Sequence, residues 1–239
     1  MSELSTQARL GSVPETGDTA VVKARHAEDV IVGEEIVRHR LLSRVIHWTV
    51  ATSMLLALIT GLPIWTPIFG WMAFLVGGLE VCRWLHPWLG IVFFASSVAM
   101  FAHWAKGMSM SKEDWAWIGP RLFLYMKSQT DDSQVGKYNG GQKIFFFTSA
   151  LAALALVASG VVLWYPLAFG QTGRELSWIL HDVTFILFTA SIIGHIYLGT
   201  ASEPGTFTAM TRGVVSKKWA RFHHPRWYRE VMGEKSQRY

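Results

Sequence analysis

The 239-residue chain has a single cysteine, Cys82. One thiol rules out a disulfide within the chain and a zinc or iron–sulfur site held by several cysteines. The covalent haem-attachment signature C-x-x-C-H is also missing, since "CRWLH" has one Cys and the wrong spacing. Charge is sparse: Asp, Glu, Lys and Arg make up 16% of the residues. Basic residues are spread over short segments rather than gathered in one stripe, which excludes a nucleic-acid-binding surface. Residues 1–40 contain no 7–15-residue apolar core and no cleavage-like site, so they do not read as a signal peptide. No nucleophile–base pair and no metal-hydrolase pattern is present, and no catalytic residue is assigned.

Apolar residues dominate instead. They form 51% of the chain, with 12 Trp and 14 Phe, and the mean hydropathy is +0.26. Four apolar runs, 46–66, 84–105, 144–166 and 178–201, each have about the 20 residues a helix needs to cross a bilayer. The expected fold is an all-α integral membrane protein with a bundle of four transmembrane helices. Its divisions are a polar extension (1–40) flexible at its start, a membrane domain (41–202) containing the 106–143 loop, and a basic tail (203–239). Of the 22 Lys and Arg, six precede the first run, six lie between Lys106 and Lys143, and eight follow the fourth run. Only Arg83 and Arg174 fall in the other two connections. This asymmetry predicts both termini and the middle loop in the cytoplasm. Trp65, Trp71, Trp84, Trp104, Trp164 and Trp178 lie near the run ends, as an interfacial belt would. The tail residues Lys217, Lys218, Arg221, Arg226 and Arg229 read for the most part as topology determinants, the alternative being contact with anionic lipid heads.

Nine histidines remain to be explained. His26, His39, His223 and His224 lie in polar segments and read as solvated surface residues. His47, His86, His103, His181 and His195 lie at or inside the apolar runs, where an ionisable ring is a functional candidate. His181 and His195 are 14 residues apart, about 40° short of four full turns, so they share a face about 21 Å apart along the axis. Threading the runs up and down puts His47 at the depth of His195 on the inner side, and His86 at the depth of His181 on the outer side. Two histidine pairs at two depths suit two six-coordinate b-type haems enclosed by the bundle. Bis-histidine ligation closes the iron and favours electron transfer over oxygen binding. His103 lies about 260° round the helix from His86 and points elsewhere. Gly61 and Gly90, on the faces of His47 and His86, would let a flat macrocycle approach or simply ease helix packing.

The middle loop carries a capping pattern at Ser111 and Asp114, which predicts an amphipathic helix on the inner surface over "SKEDWAWIGPRLFLYMKSQ". Next comes "VGKYNGGQK", residues 135–143, where Asn139 and Gln142 bring hydrogen-bonding groups to the depth of His47 and His195.

The motifs "RVIHWTV", "LHPWLGI", "VGKYNGGQK", "ILHDVTF", "HIYLG" and "VSKKWARFHHPRWYREV" together resemble the gamma subunit, a dihaem cytochrome b556, of membrane-bound respiratory formate dehydrogenase. The resemblance covers roughly residues 38–232. It implies that His47 and His195 ligate the inner haem and His86 and His181 the outer one. It places a menaquinone or ubiquinone site at Asn139, Gly141 and Gln142, beside His195. It further implies an iron–sulfur beta subunit and a molybdenum- or tungsten-pterin alpha subunit as partners, and a bacterial inner-membrane location. Electrons would pass from the iron–sulfur partner through the outer and then the inner haem to quinone, with formate oxidised in another subunit. Related dihaem cytochrome b subunits of nickel–iron hydrogenases remain an alternative. So do two readings of other classes, a histidine-relay transporter or channel and a haem-free membrane anchor.

Overall fold

The computed structural model of the protein describes residues 17–116 and 134–233. Four long helices dominate: α2 (Leu41–Trp65), α3 (Leu79–Trp104), α5 (Gly140–Trp164) and α6 (Gly170–Tyr197). Each is long and apolar enough to cross a membrane. They begin up to eight residues before the apolar runs, because their first turns carry polar groups such as Arg44, Arg83, Lys143 and Arg174. Hydropathy registers only the lipid-facing stretch, while helical hydrogen bonding continues past it. A 3-10 helix, Pro67–Val76, joins α2 to α3 and leaves Ile68, Phe74 and Leu75 exposed.

Small hydroxyl residues line the bundle interior. Ser53 and Thr60 on α2 and Ser149 and Ser159 on α5 are buried. Each donates to a carbonyl of its own helix at 2.6–2.8 Å. These local bonds use the hydroxyl hydrogens within each helix, and the small side chains let the helices approach closely. Halfway along, Met54, Phe93, Ala152, Ala153 and Phe188 form an apolar cluster.

The non-membrane part joins the two ends of the chain. Strands β1 (Val30–Val32) and β2 (Glu35–Val37) form an antiparallel hairpin, and β2 also pairs with β3 (Val214–Ser216), near the other end of the chain. Around this sheet pack α1 (Gly17–Lys23), α7 (Thr206–Thr211), α8 (Lys217–His223) and α9 (Pro225–Met232). Gly213, at φ 86°, accepts from the Arg38 and His39 N–H groups at 2.8 and 3.1 Å; a Cβ there would lie 2.5 Å from the His39 carbonyl oxygen. Arg38 is buried at the centre of this cap. Its guanidinium lies 4.9 Å from the Trp227 ring, 5.1 Å from Trp219 and 5.8 Å from Tyr138, and it donates to the Lys137 carbonyl. Burial pulls its pKa down to about 10, against the opposing influence of Tyr138, Asp29 and Glu28.

This cap corrects two expectations. His39 and His224 are not solvated; each is 2% exposed. His224 Nδ1 meets the Gly136 carbonyl at 2.7 Å, while His39 lies between Tyr138 and Trp104. Burial, reinforced by the Arg38 charge, holds both imidazoles well below their usual pKa, so both are neutral. Trp104 also departs from the expected interfacial belt. It is 8% exposed and packs with Met108 and Phe146. The Ser111–Asp114 capping box is present: Ser111 N–H donates to Asp114 Oδ2 at 2.8 Å, and Asp114 N–H to Ser111 Oγ at 3.2 Å. It opens α4 (Lys112–Ala116); the rest of the expected amphipathic helix lies outside the described residues.

Candidate functional site: two histidine pairs

The four membrane-run histidines meet in two pairs. The His47 and His195 rings, from α2 and α6, have centroids 6.3 Å apart. The His86 and His181 rings, from α3 and α6, are also 6.3 Å apart. The first pair lies at the end of the bundle that carries the sheet cap; the second lies toward the 3-10 connection. Phe188, in the apolar cluster, is seven residues from both His181 and His195, and thus midway between the pairs.

The separation is chemically informative. A metal held in line between two imidazole nitrogens, at about 2.0–2.1 Å from each, puts those nitrogens about 4 Å apart. Ring bonds of about 1.33 Å place each centroid about 1.1 Å behind its nitrogen. The expected centroid distance is about 6.2–6.4 Å, so the separation of both pairs suits one ion between the two imidazoles. Among the described residues no three His, Cys, Asp or Glu side chains cluster as a metal site. Two ligands suit a metal whose remaining positions are filled by a macrocycle, which is the donor set of a haem.

Hydrogen bonds fix the outer pair in a ligating tautomer. His86 Nδ1 lies 3.0 Å from the Ala57 carbonyl, which can only accept, so Nδ1 carries the proton and Nε2 keeps its lone pair. His181 Nδ1 lies 2.9 Å from Ser159 Oγ, whose own hydrogen is given to the Ala155 carbonyl at 2.6 Å. Ser159 therefore accepts from His181, and Nε2 is again free to bind. Such second partners orient a ligating imidazole and raise its basicity. Glycine makes room for both rings. A Cβ on Gly61 would lie 2.8 Å from His86 Cε1, and one on Gly160 3.5 Å from His181 Cε1. Gly61 thus admits an imidazole of the neighbouring helix, a contact that its spacing from His47 did not reveal. No atom would meet a Cβ on Gly90 within 4 Å.

The inner pair is held differently. His195 stacks on Phe145 with centroids 4.4 Å apart and planes 4° from parallel. His47 packs edge-on against Trp48, and its buried Nδ1 has no hydrogen-bond partner among the described residues. Phe145 lies one turn beyond Gly141 on α5, which links the first turn of that helix to His195. In that turn Asn139 Oδ1 accepts from the Gln142 N–H at 2.8 Å, and Gln142 Oε1 accepts from the Asn139 N–H at 3.0 Å. The two side chains form a capping box, so their oxygens start the helix. This use goes beyond the hydrogen-bonding capacity expected of the two side chains, and N-x-x-Q before an apolar run is its signature.

His103 joins neither pair. Its Nε2 is 2.9 Å from Ser43 Oγ.

The sequence model of the Prokaryotic cytochrome b561 family matches residues 38–213. The chain is 34% identical over 201 residues to the "Formate dehydrogenase, cytochrome b556(fdo) subunit" of Escherichia coli strain K12, covering 83% of this chain and 94% of the relative. It is 31% identical over 199 residues to the nitrate-inducible cytochrome b556(Fdn) subunit of the same strain, covering 82% and 91%. Similarity to the cytochrome b556 subunit of Haemophilus influenzae is 31% over 200 residues, covering 82% and 83%. With a family match over most of its length and relatives at this level of identity, the chain belongs to the prokaryotic cytochrome b561 family.

Proposed function

We propose that this chain is the membrane cytochrome b subunit of a respiratory formate dehydrogenase in a bacterial inner membrane. It passes electrons from an iron–sulfur partner, through an outer and then an inner haem b, to a quinone near the cytoplasmic face. The observation that carries the reading is the pair of 6.3 Å histidine couples at two levels of a four-helix bundle. The names of the relatives favour formate dehydrogenase over a nickel–iron hydrogenase as the parent complex. The partners are an iron–sulfur beta subunit and a molybdenum- or tungsten-pterin alpha subunit.

His47 with His195, and His86 with His181, would hold the two haems; when bound, the haem iron supplies one-electron transfer. The protein's own contribution is placement. Ala57 and Ser159 orient the outer imidazoles, and Phe145 orients His195. The cluster of Met54, Phe93 and Phe188 keeps titratable groups out of the space between the pairs. That argues against a histidine-relay channel, which needs a proton carrier there, and it does not impede electron tunnelling. The dithionite-reduced minus oxidised spectrum of the purified chain tests the reading. A b-type band with about two haems per chain is expected; a haem-free chain would leave the membrane anchor as the better account.

The quinone site is proposed at Asn139, Gly141, Gln142 and His195. Because Asn139 and Gln142 cap α5, replacing either by Ala removes a cap worth about 1 kcal/mol as well as any quinone contact. Asn139→Asp separates the two roles, keeping a capping oxygen while removing the amide donor. Asn139→Asp and Gln142→Ala are expected to slow quinol formation with both haem bands retained. Quinone kinetics unchanged in both would move the pocket elsewhere.

A further inference from the structure

The segment that leads into α5 is held from one side by Arg38 and the basic tail. Val135, Gly136 and Lys137 lie in neither helix nor strand, yet each carbonyl oxygen has a partner. Val135 accepts from the Arg226 N–H at 3.0 Å, Gly136 from His224 Nδ1 at 2.7 Å, and Lys137 from the Arg38 guanidinium. A carbonyl can only accept, so His224 Nδ1 carries the imidazole proton and Nε2 keeps a lone pair. That lone pair faces Arg38 Nη2 at 3.3 Å. The two hydrogens on Arg38 Nη2 serve the Lys137 carbonyl and His224 Nε2, so donors and acceptors match throughout. The Lys137 side chain is held as well, 2.9 Å from Glu28 Oε2 and 3.0 Å from Asp29 Oδ1. Asn139, two residues on, is the N-cap of α5, with an extended backbone at φ −84° and ψ 167°.

We propose that Arg38 and His224 are positioning residues for the quinone site, holding the chain ahead of Asn139 so that Asn139 and Gln142 meet the quinone in one fixed arrangement. The inference rests on the quinone site proposed above. A segment with no ladder of its own takes its direction and register from whatever binds its backbone. Three successive carbonyls bound to one scaffold supply both. Released from Arg38 and His224, the Gly136 and Lys137 carbonyls would turn to water, and the entry to α5 would sample other paths. The displacement would reach Asn139 and Gln142 directly, since they start the helix. Misplacing a binding group by about 1 Å costs up to about a hundredfold, so a hold this far from the quinone has a large effect.

The scaffold suits this use. Arg38 lies three residues before α2, the helix that carries His47, and its own N–H donates to the Gly213 carbonyl at 2.8 Å. One residue thus ties the start of α2, the turn before β3 and the entry to α5 into a single frame. The quinone segment and the inner histidine pair share that frame. Rings of Trp219 and Trp227 lie 5.1 and 4.9 Å from the guanidinium and confine it, and Trp219 also lies 5.1 Å from the His224 ring. Trp227 Nε1 donates to Asp29 Oδ1 at 2.8 Å, which joins the same carboxylate that holds Lys137.

The test uses the complete complex with a short-chain naphthoquinone as acceptor. His224→Phe keeps an aromatic ring beside Trp219 but strands the Gly136 carbonyl, and Arg38→Met removes the guanidinium. His224→Asn returns a donor near the position of Nδ1. In the first two variants KM for the quinone is expected to rise at least about tenfold while kcat changes by less than about threefold. His224→Asn should recover most of the wild-type KM. Haem content and the rate of haem reduction by the electron donor should stay at wild-type values. Adding His224→Phe to Asn139→Asp should raise KM little further, because it acts through Asn139. A full product of the two factors would overturn the proposal. So would a wild-type KM in either His224→Phe or Arg38→Met, which would leave the hold a matter of stability alone. If neither assembles, Arg38→Lys, which keeps the cation beside the rings without the planar fork, decides by the same criteria. A second readout is independent of turnover: amide hydrogen exchange in the resting complex should quicken over residues 137–142 in both loss variants, and unchanged exchange would overturn the hold itself. If Asn139→Asp and Gln142→Ala leave quinone kinetics unchanged, the quinone site lies elsewhere, while the exchange result still judges the hold on the segment.

Discussion

His195→Ala and His47→Ala are each expected to remove the same haem and leave the other in place, so that haem content falls from about two to about one per chain. His86→Ala and His181→Ala should remove the opposite one. The expectation follows from the pairing of rings, 6.3 Å within each couple, and from the apolar cluster that separates the couples. A haem held between the two rings would keep only one imidazole of its pair, and the surviving imidazole would lose the partner for its buried nitrogen. The two halves should not respond alike. His181→Ala strands only the Ser159 hydroxyl, which still has the Ala155 carbonyl to donate to. His195→Ala also removes the ring stacked on Phe145, one turn from the proposed quinone site, so it should abolish quinol formation while the outer haem remains reducible. The check is quantitative haem extraction, combined with the reduced-minus-oxidised spectrum of each variant and of the double variants. His47→Ala/His195→Ala should resemble either single variant; His47→Ala/His86→Ala should be haem-free. If His47→Ala and His86→Ala instead removed the same haem, the pairing would be wrong.

The couples are legible in the sequence because two periodicities coincide. A spacing of 14 residues returns to the same face of one helix, and alternating the direction of successive spans sorts the remaining histidines by depth. The four helices were legible for a similar reason, since a lipid-facing helix must be apolar over a fixed length. What stayed hidden was contact between segments far apart in sequence. Strands of three residues, such as Val30–Val32 and Val214–Ser216, are too short for a period-two pattern to stand out. The two ends of the chain look polar and separate, yet they share a sheet. His39 and His224 read as solvated because their neighbours in sequence are charged. Their actual surroundings are Tyr138, Trp104, Trp219 and Trp227. The aromatic residues spaced through "WARFHHPRW" were the available sign of a buried core in that tail, and the basic residues beside them masked it. The bonds from Arg38 to Lys137 and from His224 to Gly136 span 99 and 88 positions, and no local pattern announces them.

Gly61→Ala should deplete the outer haem while leaving the inner one intact, although the substitution adds only a methyl group and favours helix formation by about 1 kcal/mol. The new Cβ would lie 2.8 Å from His86 Cε1, closer than carbon atoms tolerate. The ring has little freedom to yield. Its Nδ1 is fixed by the Ala57 carbonyl one turn before Gly61, with Thr60 Oγ1 at 3.3 Å, and its ring lies with its centroid 6.3 Å from that of His181. Retreat from the methyl breaks one of these constraints. Staying put instead forces α2 away from α3 along a face where buried Thr60 depends on close approach. Gly160→Ala makes a graded comparison, because its Cβ would lie at ordinary contact distance, 3.5 Å, from His181 Cε1 and should be tolerated. The measurement is outer-haem occupancy in detergent-purified protein, with the inner haem as internal control for folding. Full occupancy in Gly61→Ala would mean that the His86 ring is not confined between α2 and its iron, and the geometric argument for the outer site would fail with it.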